Sequence, residues 1–315
     1  MRKYKALITD ILKEISKTRN RFLSIMLIVM LGSGFFAGVK STCPDMIDTA
    51  EKYFAERNLM DFNIKSTMGF SDNDIEALRN DPNVKDLYAG YTADMFLEHN
   101  GDMGSVSRVF SIDIDKIDDE STINRLLLKE GRMPQTDNEC VIDQGAFKGG
   151  GIEVGDVIRL YVEEGKEVSD VLHNDEFTVV GLVNSPMYIG NERGRTTIGN
   201  GSIVNTIYIA EEVFAYEVIT DVFITYKDMR GLAYNGDEYE NLRMARGDEL
   251  EIFAEGREKT RKHEIYDEAL KAINEAEAEL NDGIAEYEEG KATFEREIAK
   301  AEKDLKNAKY QIENG

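Results

Sequence analysis

Phe22 to Val39 reads FLSIMLIVMLGSGFFAGV, eighteen consecutive residues without a charge in a chain whose formal net charge is −23. As a helix such a run spans about 27 Å, at about 1.5 Å per residue, close to the hydrocarbon thickness of a bilayer. It predicts a membrane-spanning helix over 22–40, with Phe22, Leu23, Ile25, Leu27, Val29, Leu31, Phe35 and Val39 as apolar bulk. Gly34 and Gly38 in its second half allow close helix packing in lipid. Every other segment is then placed by the side of this span on which it falls.

Residues 1–21 hold seven Lys/Arg against Asp10 and Glu14, which leaves −28 on the rest of the chain. Tyr4, Ile8, Ile11 and Ile15 recur on one helical stripe among those cations, the pattern of an amphipathic helix lying on a membrane surface. An anionic cytoplasmic leaflet attracts each such cation by about 1 kcal/mol. A signal peptide also opens on basic residues, but its apolar core runs to about 7–15 residues. In addition, Lys40-Ser41-Thr42 before Cys43 puts a charge where lipoprotein-type cleavage wants an aliphatic side chain. Lys13, Lys17, Arg19 and Arg21 crowd one flank of the span and only Lys40 the other, so the N-terminus is expected in the cytoplasm and residues 41–315 outside. Membrane lipid is therefore an expected partner. Nucleic acid is excluded, because binding phosphates requires a cationic surface.

Past Pro44, Asp45–Asn58 keeps the helical phase through Met46, Ile47, Ala50, Tyr53, Phe54 and Arg57. Asp61–Ser66 reads as a strand, and Ser71 with Asp74 opens a helix that runs to Arg79 and stops before Asp81-Pro82. Strand signals follow at Tyr88–Glu98, Val106–Ile114, Val157–Val162, Phe177–Val183, Ile203–Ile209 and Val222–Tyr226. Helical candidates lie at Thr122–Leu128 and Glu211–Tyr216. The predicted fold class is α+β, with a mixed or antiparallel sheet in a core domain over 41–259.

From Tyr266 the apolar residues step by four and three through Leu270, Ile273, Leu280, Ile284, Tyr287, Phe294, Ile298, Leu305 and Ile312, interrupted at Glu277 and Lys291. More than six heptads specify a coiled-coil helix, expected over 260–315 and reaching about 70 Å. Its apolar stripe requires a partner. Either another chain supplies it, or the sequence is the front part of a longer protein.

Catalytic signatures are absent from the sequence. His99, His173 and His263 are far apart, have no metal-ligand spacing and read as surface residues. There is no G-x-S-x-G, and Gly149-Gly150-Gly151 lacks the G-K-[ST] ending of a phosphate loop, so it reads as a turn. Asp113, Asp115, Asp118, Asp119 and Glu120 lack the glycine and distal glutamate of a calcium loop and read as a solvated acidic turn. Cys43 and Cys140 make no metal pattern. They suit unpaired thiols better than a single disulfide, which an extracellular setting would permit. No cofactor and no catalytic residue is expected.

Particular residues carry a resemblance. The opening ITDILKEISKTRNRFLSIMLIVMLGSGFFAGVKSTCPDM, with AEKYF, NLMDF and STMGF after it, resembles the N-terminus of FtsX-like ABC transporter permeases of Gram-positive bacteria. Gly131-Arg132-Met133-Pro134 with Glu139-Cys140-Val141-Ile142 resembles their G-R-x-P…E-x-x-[IV] segment. Gly155-Asp156-Val157-Ile158 resembles their G-D-x-[IV] strand entry, and Phe177-Thr178-Val179-Val180-Gly181 their F-x-V-V-G strand. The likeness covers residues 1 to about 228 and implies a first membrane helix followed by a MacB-like extracellular core domain. It further implies a non-catalytic permease subunit at the cell membrane, working with a separate ABC ATPase subunit and with the remaining permease helices or a second permease copy. The cargo class it implies is a lipid, lipoprotein or peptide. Ile265–Gly315 is similar to the ascending arm of the coiled-coil hairpin that some members insert in this domain, and a chain with one span is then expected to be a fragment. The rival expectation is a single-pass surface scaffold or adhesion protein acting through its acidic coiled coil.

Overall fold

The charge-free run lies inside α2 (Arg19–Glu56), preceded by α1 (Arg2–Lys17). The computed structural model describes residues 2–117, 119–143, 151–190 and 192–314, and it divides into units 1–244 and 245–315. Among the described residues α2 is the one helix long and apolar enough to cross a membrane, with an eighteen-residue window of mean hydropathy 2.2 and no burial. Pro44 sits inside α2, which runs on past it in the helical phase expected of Asp45–Asn58. Lacking an N–H, it takes the usual hydrogen bond from the carbonyl four residues earlier without breaking the helix. The end of α2 is a Schellman closure: Asn58 adopts φ 48°, and the N–H groups of Asn58 and Leu59 bond the carbonyls of Ala55 and Phe54 at 3.3 and 3.1 Å. Asparagine tolerates this left-handed position better than other residues with a side chain.

A three-stranded sheet follows, ordered β1 (Phe62–Phe70), β10 (Ile219–Tyr226), β2 (Val84–Gly90), with β10 antiparallel to both neighbours. Between β1 and β2 runs α3 (Asp72–Arg79), opened by the expected capping box of Ser71 and Asp74. It buries Ile75 and Leu78.

The second sheet contains β3 (Thr92–His99), β4 (Asp102–Ile112), β5 (Leu127–Gly131), β6 (Glu139–Asp143), β7 (Val157–Tyr161), β8 (Glu176–Asn184) and β9 (Ile203–Ala210). Their order is β5-β8-β6-β9-β4-β3-β7, and β7 also pairs with β8, which closes six strands into a ring with β5 on its outside. Two pairings are parallel, β4 with β9 and β6 with β8. Side chains alternate between the faces of a strand, and here both faces are buried. Cys140, Ile142, Val179, Ile207 and Ile209 join the core inside the ring. Their neighbours Val141, Val180 and Tyr208 join Phe110 and Phe223 in a second core outside it. Strands buried on both sides read as unbroken apolar runs, which is why β9 shows no alternation in sequence.

Three local expectations are corrected. Tyr88–Glu98 is not one strand: it divides at Tyr91 between β2 in the small sheet and β3 in the ring. The chain bends where Ser111 Oγ accepts the Tyr91 N–H at 2.8 Å, and a Cβ on Gly90 would lie 2.5 Å from that oxygen. Thr122–Leu128 is not helical, because Asn124 takes φ 55° and the N–H groups of Asn124 and Arg125 bond Asn58 and Arg57 at 3.0 and 2.9 Å. Glu211–Tyr216 holds one 3-10 turn, Glu211–Val213. Beyond it the chain pairs with 171–173, through His173 N–H to Val213 O at 2.8 Å and Ala215 N–H to Val171 O at 2.9 Å.

The chain continues into α4 (Asp237–Asn314), 78 residues long. It starts well before the first heptad residue, Tyr266. Gly149 and Gly150 of the glycine turn, Asp118 of the acidic turn and Gly315 lie outside the described residues.

Candidate functional site

Asp61 stands between the end of α2 and β1, and its side chain is 1% exposed. Its N–H donates to Ile224 O at 2.9 Å, setting it beside β10. Three donors converge on its carboxylate: Tyr226 N–H on Oδ2 at 2.7 Å, Arg230 Nη2 on Oδ2 at 3.2 Å, and Tyr239 Oη on Oδ1 at 2.9 Å. Burial pushes the Asp61 carboxyl above its ordinary range, and these donors pull it back. Burial likewise raises the Tyr239 hydroxyl, so that it remains a donor. Tyr239 belongs to the first turns of α4, and one carboxylate thereby ties that helix start to β10 and to the residues leaving α2.

A second set of contacts holds the end of α2. Arg125 Nη2 donates to Glu56 O at 2.7 Å, placing a cation on the last carbonyls of the helix, where the helix dipole favours it. Asn58 Nδ2 donates to Ser121 O at 3.0 Å and to Asp86 Oδ2 at 3.3 Å. Asn124 Oδ1 accepts the Met60 N–H at 3.0 Å. Arg230 Nη2 also donates to Leu59 O at 3.1 Å. The Phe54 ring meets Tyr234 edge-on at 5.2 Å, and Tyr234 meets Tyr239 at 5.0 Å. The last turn of α2 is thus bonded to two loops and stacked toward the start of α4. The cluster is a network of charge-assisted hydrogen bonds and stacked rings that joins the end of α2, β10 and the start of α4.

Hydrogen bonds to a charged group are worth about 1.5–3 kcal/mol. Tyr239→Phe is therefore expected to lower stability by that amount, with no further loss when combined with Asp61→Ala. Urea titrations of the two single variants and the double variant measure the coupling; simple addition of the two losses would disprove the tie.

The motif residues singled out in the sequence meet at β5 and β8. Gly131 takes φ 78°, and a Cβ there would lie 2.2 Å from Val180 O. One on Gly181 would lie 2.3 Å from Arg132 O. Arg132 grips the Glu139 carboxylate with both terminal nitrogens, and Gln135 N–H adds a bond at 2.9 Å. These donors hold Glu139 below its usual pKa range, the arginine contributing most. Gly155 N–H bonds Val179 O at 2.8 Å. The shared motifs therefore fasten strands together.

The expected site residues lie elsewhere. From Phe22 to Val39 the large apolar side chains of α2 are 43–76% exposed, and nothing lies within 4 Å of a Cβ at Gly34 or Gly38. The seam from Leu270 to Ile312 lies on α4 in the second unit, 44–81% exposed. Both cysteines are free, Cys43 exposed and Cys140 buried. Asp113 accepts from the N–H groups of Asp115 and Lys116, capping a 3-10 turn. His99 is not a surface residue: it is 8% exposed and bonds Asp156 Oδ2 at 2.9 Å. The junction residues Asp61, Arg125, Arg230 and Tyr239 escaped sequence reading. Their one local sign was a single acid, Asp61, at the entry to an apolar strand.

No curated protein is significantly similar to the chain. Among solved structures, the extracellular domain of the noncanonic ABC-type transporter YknZ from Gram-positive bacteria shares 13% identity, over 58% of this chain and 87% of that one, with a TM-score of 0.30. The periplasmic region of MacB from Actinobacillus actinomycetemcomitans shares 12% identity, over 58% of this chain and 76% of that one, with a TM-score of 0.33. The assignment rests on the family model instead. Residues 22–231, well over half of the chain, match the MacB-like periplasmic core domain, so the chain belongs to that family of FtsX/MacB-type ABC transporter permeases.

Proposed function

We infer that the chain is a permease subunit that couples ATP hydrolysis on a separate ABC ATPase chain to movement outside the membrane, without a catalytic centre of its own. The observation that carries this reading is the Asp61 junction. A 38-residue helix, α2, about 57 Å long, ends in a capped turn bonded on several sides to the core, and the start of α4 shares the same carboxylate. Displacement along α2 would reach both β10 and α4. In this reading residues 1–21 lie at the cytoplasmic face beside the ATPase and Phe22–Val39 cross the bilayer. Residues 41–259 form the external core and 260–315 the coiled-coil arm. Gly34 and Gly38 pack against the remaining permease helices or a second copy, and the cargo is a lipid, lipoprotein or peptide.

The test is affinity purification of the full-length chain from its native membrane in mild detergent. A nucleotide-hydrolysing subunit is expected to co-purify, and Gly34→Leu to reduce the permease assembly recovered. If no ATPase is found, the reading fails. The exposed α4 seam also suits a surface scaffold, and recovery of only further copies of the chain or an extracellular protein would favour that alternative.

A further inference from the structure

A cleft of about 400 Å³ opens between β2, the end of β4 and the 121–126 loop, a size within the range of small-ligand sites. Aromatic rings make its floor. Tyr88 stacks on Phe223 with centroids 6.2 Å apart, and Phe110 on Tyr208 at 5.5 Å. Ile112, Ile123, Leu126 and Met187 add apolar walls. Two polar groups beside the floor engage each other: Tyr88 Oη and Ser111 Oγ bond at 2.9 Å, and Ser111 Oγ accepts the Tyr91 N–H at 2.8 Å. Over the floor an occupant meets chiefly ring faces and methyl groups.

The rim has the opposite character. Lys85 pairs with Asp86 at 3.0 Å and Lys116 with Asp113 at 2.5 Å, which cancels two cations. Arg79 has no acidic partner among the described residues, and Arg125 spends one terminal nitrogen on the neutral Glu56 carbonyl. Two arginines without carboxylates thus border an apolar cleft in a chain of net charge −23. From Val39 to Glu56, α2 rises about 26 Å, so an apolar run long enough to meet lipid lies a short helix length away.

We propose that this cleft binds a single-chain anionic lipid, with the acyl chain on the aromatic floor and the carboxylate at Arg79 and Arg125. Because Arg125 also holds the last carbonyls of α2, the bound lipid braces the junction. The acyl chain is favoured over a peptide because the floor is built of stacked rings and aliphatic walls, and the carboxylate-free arginines at the rim suit one anionic head group.

The full chain, reconstituted in nanodiscs, is photolysed with a 16-carbon fatty acid bearing a mid-chain diazirine, and the adducts are mapped by mass spectrometry. Adducts are expected on residues 84–88, 110–112 and 121–126 as well as on α2. Excess hexadecanoate should displace those in the cleft, and hexadecanol should not. Arg79→Glu, a change at an exposed position, is expected to reduce the cleft adducts about tenfold, the equivalent of one charge-assisted contact, while α2 adducts stay constant as an internal control. Ile123→Trp, which fills the cleft, should do the same without altering the rim. The proposal is overturned by adducts confined to α2, by equal competition from hexadecanol, or by an acidic peptide displacing the probe where hexadecanoate does not. Failure here leaves the ATPase co-purification unaffected, so the two readings fall separately.

Discussion

Arg193→Ala is expected to lower the unfolding free energy of the core by about 3–5 kcal/mol, the cost of leaving one member of a buried ion pair unpaired. Arg193 and Asp143 are each 2% exposed at the side chain, with Nη2 and Oδ1 2.9 Å apart. The arginine also donates to Gly190 O at 2.5 Å and lies 5.2 Å from the Tyr188 ring centre. Asp143 Oδ2 accepts the Ser185 N–H at 2.9 Å, so the pair pins the long β8–β9 connection to β6. The companion variant Arg193→Met/Asp143→Leu removes both charges and should recover part of the loss, the remainder being the Ser185 N–H left without its acceptor. The chain has no tryptophan, so unfolding in urea is followed by tyrosine near-ultraviolet dichroism. A single variant costing under about 1 kcal/mol, the range of an exposed pair, would contradict the argument.

Gly131→Ala should cost about 2–5 kcal/mol, from two sources. A left-handed backbone with a Cβ costs about 1–2 kcal/mol, and overpacking adds about 1–3 kcal/mol. The added carbon would sit 2.2 Å from Val180 O and 2.9 Å from Gly181 Cα, backbone atoms that cannot rotate away. Gly101→Ala is the control, since Gly101 has φ 81° but nothing within 4 Å of where its Cβ would stand. It should show the conformational cost alone. The difference between the two melting midpoints isolates the clash, and equal midpoints would mean that β5 shifts freely.

Much of the fold was legible because its signals are local. The charge-free run at 22–39, the Ser71–Asp74 capping box, the heptads after Tyr266 and the G-R-x-P and F-x-V-V-G segments each depend on residues within a few turns of one another. Reading across Gly90 as one strand failed for the converse reason: nothing local to Tyr88–Glu98 records that Ser111 captures Tyr91 and turns the chain into a second sheet. Thr122–Leu128 carries residues compatible with a helix, yet its backbone donors are spent on the end of α2.

Hydrophobic period and charge act at short range, and the residues in order are therefore enough to specify the apolar helix, the α+β class and the long C-terminal helix. Folding brings in what sequence separation hides: six strands close into a ring, two cores share the strands between them, and Asp61 joins two helices. The partners of Asp61 lie 165 to 178 residues away in sequence. A carboxylate's role is set by which donors reach it after the chain has folded, and that long-range pairing leaves no periodic mark on the residues around it.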